Sequence, residues 1–273
     1  LASTEEHLMN SAKSLHVPKA FTNFRIHLQN SVAETVIISP GLVNPGIQAS
    51  KFAGYPYLPQ DSPYPKDDDG QPMLFLAQLN FSEFQLGEPF PTHGILQFYI
   101  VQKCYSKIKL GIPATQFKVR YYPTLVDAAQ LTTDFNSLGH LNYEHFPIDQ
   151  ELAIQFSKAV EPVSATDYRL TQFFNPLVLN ETITIDGRSF IDLYLESFLS
   201  ADHKIGGYPY FIKQDMRQHS VLLQRYDTLL LQIISNDAHG IMWGDCGVIS
   251  FFINSEKLKG LDFSDIYFHT EEY

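Results

Sequence analysis

Positive charge is scarce in this chain: 19 Lys and Arg stand against 30 Asp and Glu, for a formal charge of −11. Nucleic acids and anionic membranes are bound through cationic faces that release counterions, so neither is an expected partner. Cysteine is scarcer still. Cys104 and Cys246 lie far apart and outside any C-x-x-C pair, which leaves no thiolate metal site, reads as two free thiols and fits a reducing compartment. No apolar run approaches the roughly 18 to 20 residues needed to cross a bilayer. The opening LASTEEHLMNSAKS is polar where a signal peptide has a basic start and an apolar stretch, so a cytoplasmic location is expected.

Motifs that carry chemistry are missing as well. The ten histidines include no H-E-x-x-H and no H-x-H, and His140 and His145 are five apart, off the spacing that puts two ligands on one helical face. Asp67, Asp68, Asp69 and Gly70 lack the alternating acids and distant Glu of a calcium loop and read as a solvated turn. There is no Walker loop and no G-x-G-x-x-G, so no metal or cofactor is expected. Lys103, Lys107 and Lys109, the one compact basic group, read as a charged strand edge that discourages sheet-to-sheet association.

What the chain does have is apolar and aromatic: 44% hydrophobic residues, with 21 Phe and 15 Tyr among 273. A chain of this length buries roughly 70 to 75% of its unfolded surface, so it is an ordered globular protein. Helices are predicted over Thr4–His16, Lys19–Gln29 and Ser189–Leu199 from apolar spacing and breakers. Strands are predicted over Thr35–Ser39, Leu74–Phe81, Gly94–Val101, Phe117–Tyr122, Ala153–Phe156, Thr182–Ile185, Leu229–Ser235, Val248–Ile253 and Ile266–Phe268. Strands come in neighbouring pairs, so the expected class is α+β, strand-dominated and antiparallel.

A repeat organises these strands. KFAGYPY from Lys51 returns as KIGGYPY from Lys204, an interval of 153 residues; Gln78 in FLAQL returns as Gln232 in LLLQI at 154; GILQFYI from Gly94 returns as GVISFFI from Gly247 at 153. Three collinear matches imply one unit used twice, giving two related β-rich lobes. A fourth, ETVII from Glu34 against ETITI from Glu181, falls at 147. The expected organisation is an N-terminal helical segment at 1–33, a first repeat unit at 34–150 and a second at 151–273, packed as one compact domain.

The ordered set KFAGYPYLP, FLAQLNF, GILQFYI, HKIGGYPYF, LLLQI and MWGDCGV resembles the YwqG-like proteins, a mostly bacterial family without an established biochemical function. The resemblance implies a duplicated α+β fold and gene neighbourhoods that sometimes include secreted toxin systems. One departure stands out. Where the family shows Q-x-D-P-R after the second Y-P-Y, this chain has Gln214, Asp215, Met216 and Arg217, so the Asp and Arg are kept and the proline is not.

Candidate site residues follow from the repeat. In G-Y-P-Y, Gly and Pro fix the backbone and hold the flanking rings, so Tyr55, Tyr57, Tyr208 and Tyr210 are either stacking platforms or rings that close the sheet ends with their hydroxyls satisfied locally. Lys51 and Lys204 head the two motifs and read as salt bridges or turn caps, or else as anion sites. Gln78, with Leu76 and Asn80 on its face, reads as a buried amide pinning a loop. Where the copies diverge, only the second carries Trp243, Asp245 and Cys246, with His239 just before them and Asp215 and Arg217 upstream. Asp245 is expected to cap its own turn, and Cys246 to be packed at a strand entrance. The expected function is binding, with a protein partner, rather than catalysis. The alternatives are a hydrolase-like Asp/Arg/His site near Trp243 and a small-ligand receptor on tyrosine platforms.

Overall fold

The computed structural model describes residues 15–103, 112–180 and 183–273. The helix expected over Thr4–His16 lies, but for its last two residues, outside them, as do Cys104, Lys107, Lys109, Glu181 and Thr182. The strands are β1 (Ala33–Gly41), β2 (Lys51–Phe52), β3 (Leu74–Asn80), β4 (Ile95–Ile100), β5 (Phe117–Tyr122), β6 (Leu152–Glu161), β7 (Thr184–Ile185), β8 (Arg188–Ser189), β9 (Lys204–Gly206), β10 (Thr228–Ile234), β11 (Val248–Ile253) and β12 (Ile266–Glu271). The fold is a strand-dominated α+β structure. Ten strands form one antiparallel sheet in the order β12-β11-β10-β9-β1-β6-β2-β3-β4-β5, and β7 pairs with β8 in a separate two-stranded sheet. The sheet is nearly closed, because Ile112 beside β5 donates its N–H to the carbonyl of Phe268 in β12 at 2.7 Å.

Outward from the central pair β1–β6, the strands bearing the matched motifs run in the same order on both sides. Each central strand also lies against the far motif: β1 pairs with β9, and β6 with β2. The match of Glu34 to Glu181 does not carry into the sheet. Glu34 sits in β1, Thr184 and Ile185 sit in the separate hairpin, and the strands beside β1 are β6 and β9.

Alternation along the strands sends Leu96, Phe98, Ile249 and Phe251 into one interior shared by both halves, where Phe98 and Phe251 meet at 4.7 Å and Phe251 stacks on Phe268 at 4.2 Å. The expected face for Gln78 needs one correction. The register shifts between Phe75 and Ala77, so Leu76 and Ala77 both join the interior and Leu76 is not on the glutamine's side. Such a bulge places two residues of one strand against one of its partner; β10 shifts likewise between Leu229 and Leu231.

The outer face is covered by loops and by a second apolar cluster. There Phe21 and Leu28, from the helical stretch Lys19–Asn30, pack with Val163, Phe174, Phe190 and Tyr194 against Tyr208. The helix Phe190–Ser197 starts where expected, with the Ser189 hydroxyl accepting the Asp192 N–H. No helix among the described residues is long and apolar enough to cross a membrane.

Candidate functional site

The two motifs build the same backbone. Positions 53 and 54 have φ of 57° and 80°, and positions 206 and 207 both have 68°, so each lysine strand ends in a left-handed pair of residues. Glycine at the second position also makes room for a carboxylate. A Cβ on Gly54 would stand 1.9 Å from Glu151 Oε2, and one on Gly207 would stand 2.3 Å from Glu161 Oε1. Those carboxylates neutralise the lysines: Lys51 pairs with Glu151 at 3.1 Å, and Lys204 pairs with Glu161 and donates to the Tyr208 carbonyl at 2.7 Å. Burial lowers the pKa of Lys204, and Glu161 opposes that. Neither ammonium is open to an external anion.

The glutamines act as clamps. Gln78 Oε1 accepts the Tyr57 N–H at 2.9 Å while its Nε2 donates to Ile47 and Ala49 carbonyls at 2.9 and 2.7 Å. Gln232 repeats this with the Tyr210 N–H at 2.8 Å and the Ser200 and Asp202 carbonyls at 2.9 Å each. Each amide therefore pins one G-Y-P-Y segment to the loop before its lysine.

Asp215 and Arg217 belong to a buried network that has a second fork. Arg217 Nε and Nη2 grip the Asp215 carboxylate at 2.9 and 2.8 Å, and Arg169 Nε and Nη2 grip Asp167 at 2.8 and 2.7 Å. Arg217 Nη2 also reaches Asp167 at 3.0 Å, closing two cations and two anions into one neutral cluster. Rings complete it, with Arg217 Cζ 4.8 Å from Phe252 and 5.0 Å from Tyr168, and Arg169 Cζ 4.8 Å from Tyr208. Burial opposes ionisation of Asp167, but the hydrogen bonds and charge of Arg169, then the charge of Arg217, hold its carboxyl below the usual range. Arg217 is 1% exposed, so this is a cross-brace rather than a substrate site. Asp167 and Arg169 carry a sequence signal, a second Asp-x-Arg at 167–169 matching the one at 215–217.

The segment expected to hold chemistry does not assemble. Trp243 packs partly into the interior, while Gly244 and Cys246 take left-handed φ of 52° and 50° in a turn closed by the Gly247 N–H on the Trp243 carbonyl at 2.8 Å. Cys246 is exposed rather than packed. The Asp245 carboxylate has no hydrogen-bond partner among the described residues; its own N–H donates to Glu272 at 3.3 Å and its carbonyl accepts the Tyr273 N–H at 3.0 Å. The turn is thus held by backbone and Glu272 rather than by an Asp245 cap. His239 acts electrostatically on the buried His203 and is not among the partners of Arg217, which are Asp215, Asp167 and the Tyr226 carbonyl.

The tyrosines divide. Tyr57 is fully buried and its hydroxyl accepts the Val126 N–H at 2.8 Å; the Tyr208 hydroxyl donates to the Ser31 carbonyl at 2.5 Å; the hydroxyls of Tyr210 and Tyr273 meet at 3.3 Å. Tyr55 is different. It is 59% exposed and lies nearly parallel to Phe135, with ring centroids 4.6 Å apart and 13° between planes. Tyr64 meets Phe135 edge-on at 6.4 Å, with its hydroxyl tied to the Met73 carbonyl at 2.9 Å. Tyr143, half exposed, is close enough that Tyr55 adds to the burial that raises its pKa. Three aromatic rings, Tyr55, Phe135 and Tyr64, thus form a surface platform, and Tyr143, packed edge-on against Phe146 at 5.4 Å, stands beside it. Phe135, Tyr64 and Tyr143 were not legible as partners of Tyr55, since loop chemistry with no periodicity brings them together.

Residues 50–271 match the model of a family described as "Domain of unknown function (DUF1963)", a span that takes in every strand from β2 to β12. No curated protein matches the chain.

Proposed function

The chain belongs to the DUF1963 family, and on that premise we propose that it is a non-catalytic binding protein whose contact surface centres on Tyr55 and Phe135. The observation that carries this is a difference between two copies of one motif. Tyr208 is 6% exposed beneath Arg169, while Tyr55, at the matching position, is 59% exposed although it stacks on Phe135. Solvent-exposed aromatic area rigidly held on a scaffold is what binding surfaces use. Saturation of Lys51, Lys204, Asp215 and Arg217 by their own partners supports binding over catalysis.

The finer reading rests on the sequence: a cytoplasmic, duplicated, YwqG-like member of the family, whose protein partner is of the toxin-linked kind that resemblance suggests. Matched clamps at Gln78 and Gln232 and matched left-handed turns support the duplication. A photo-crosslinking residue placed at position 55 in cells is expected to give a discrete adduct that the same residue at the exposed position 192 does not. Identical adducts from both positions, or none from 55, would overturn the proposal.

A further inference from the structure

The platform is blank on one face, and the second half of the molecule shows what such a face takes. We infer that Tyr55 receives the guanidinium of an arginine on a basic segment of a partner polypeptide; this rests on the binding surface just proposed. In the second half, the first tyrosine of the motif is already covered by a cation, Arg169 over Tyr208 with Cζ at 4.8 Å, and Arg217 covers Tyr168 and Phe252 in the same way. Both guanidiniums are held by carboxylates, Asp167 and Asp215. The fold thus satisfies its second motif with its own arginines.

In the first half the one arginine over a ring among the described residues is Arg120, 6.0 Å from the centre of Tyr122, and Tyr55 has no such cover. Between Arg120 and Lys158 the chain contains no Lys or Arg but five acids: Asp127, Asp134, Glu144, Asp149 and Glu151. Phe135, the ring under Tyr55, and the neighbouring Tyr143 come from this stretch, each next in sequence to an exposed acid, Asp134 and Glu144. Of the five, Glu151 is engaged by Lys51. Arg120 at the edge of the stretch is occupied as well, donating to the Pro63 carbonyl at 2.7 Å and to the Tyr122 hydroxyl at 3.1 Å. Through the bridge Ile148–Ile241, this stretch adjoins a second one, residues 226–256, that also lacks Lys and Arg and exposes Asp237 and Asp245. An aromatic face whose supporting ring, Phe135, follows the exposed Asp134 attracts a cation over its ring and selects against anionic partners. A flat guanidinium both stacks on the ring and reaches a neighbouring carboxylate, which a compact ammonium does less well.

The test is fluorescence anisotropy on the whole chain with a labelled peptide of six Gly-Arg repeats, against a peptide of six Gly-Gln repeats. The Gly-Arg peptide is expected to bind, to lose about tenfold in affinity with Tyr55→Ala, and to keep its affinity with Tyr55→Phe, which retains the ring. Raising salt from about 50 to about 500 mM is expected to weaken it further. Equal affinity for both peptides, or an unchanged Kd in a folded Tyr55→Ala variant, would overturn the inference. A discrete adduct at position 55 with no Gly-Arg binding would leave the binding surface standing and remove only its arginine; Gly-Arg binding lost in Tyr55→Ala with no adduct in cells would leave the arginine site standing and remove the cellular protein partner.

Discussion

Tyr55 and Tyr57 are two residues apart and do opposite work. Tyr57 fills an interior site under the loop at Val126, so Tyr57→Ala is expected to cost about 3 to 5 kcal/mol by leaving a cavity. Tyr55→Ala removes an exposed ring and is expected to change stability by less than about 1 kcal/mol; urea unfolding of both variants checks the contrast. His203 is a buried residue through which acid is expected to act on the fold at mild pH. It is 5% exposed, its Nδ1 accepts the Ile234 N–H at 3.2 Å, and burial, helped by His239, pushes its pKa down to about 4. The unfolded chain binds a proton at about 6.5, so between these values it holds more protons than the native state. The contribution of His203 is therefore expected to be full above about pH 6.5 and to fall, by roughly 3 kcal/mol, as pH drops to about 4. Asp167 acts in a lower window: with its pKa below the ordinary 3.8, its contribution is lost only as pH falls below that value. In His203→Gln the slope between pH 6.5 and 4 is expected to flatten, and an unchanged slope would assign it to another group.

At the scale of elements, the clamped motif is the unit of construction. Gln78→Leu keeps the shape but leaves the Ile47 and Ala49 carbonyls and the Tyr57 N–H without their partner. Such orphaned groups cost about 1 to 3 kcal/mol each, so a loss above about 2 kcal/mol is expected in denaturant unfolding, with less than about 0.5 kcal/mol contradicting the clamp. The long strands were legible from β-branched and aromatic runs: Phe117–Tyr122 and Val248–Ile253 have the bounds their residues predict. β2 and β9 were not, since two or three residues carry no period, and only the repeated Lys and the left-handed turn mark them. The bulge at Phe75–Ala77 was hidden for a related reason, because alternation assumes an unbroken pleat. The platform was legible at Tyr55 alone.

For the whole molecule, the sheet cannot be divided where the sequence divides. β1 finds its neighbours β9 and β6 beyond residue 150, and the interior joins Phe98 to Phe251. Residues 34–150 alone are expected to show no cooperative thermal transition, and a cooperative melt of that fragment would contradict the shared interior. The buried charges balance in place, Lys51 with Glu151, Lys204 with Glu161, and two arginines with two aspartates. The acidic excess therefore lies outside, with the exposed rings. The most direct measurement pairs a photo-crosslinking residue at position 143 with Tyr55→Ala, reading adduct yield and melting temperature together. Loss of the adduct at an unchanged melting temperature is the predicted result. An undiminished adduct would contradict a binding surface centred on Tyr55, and a large fall in melting temperature would show that the ring holds the fold instead.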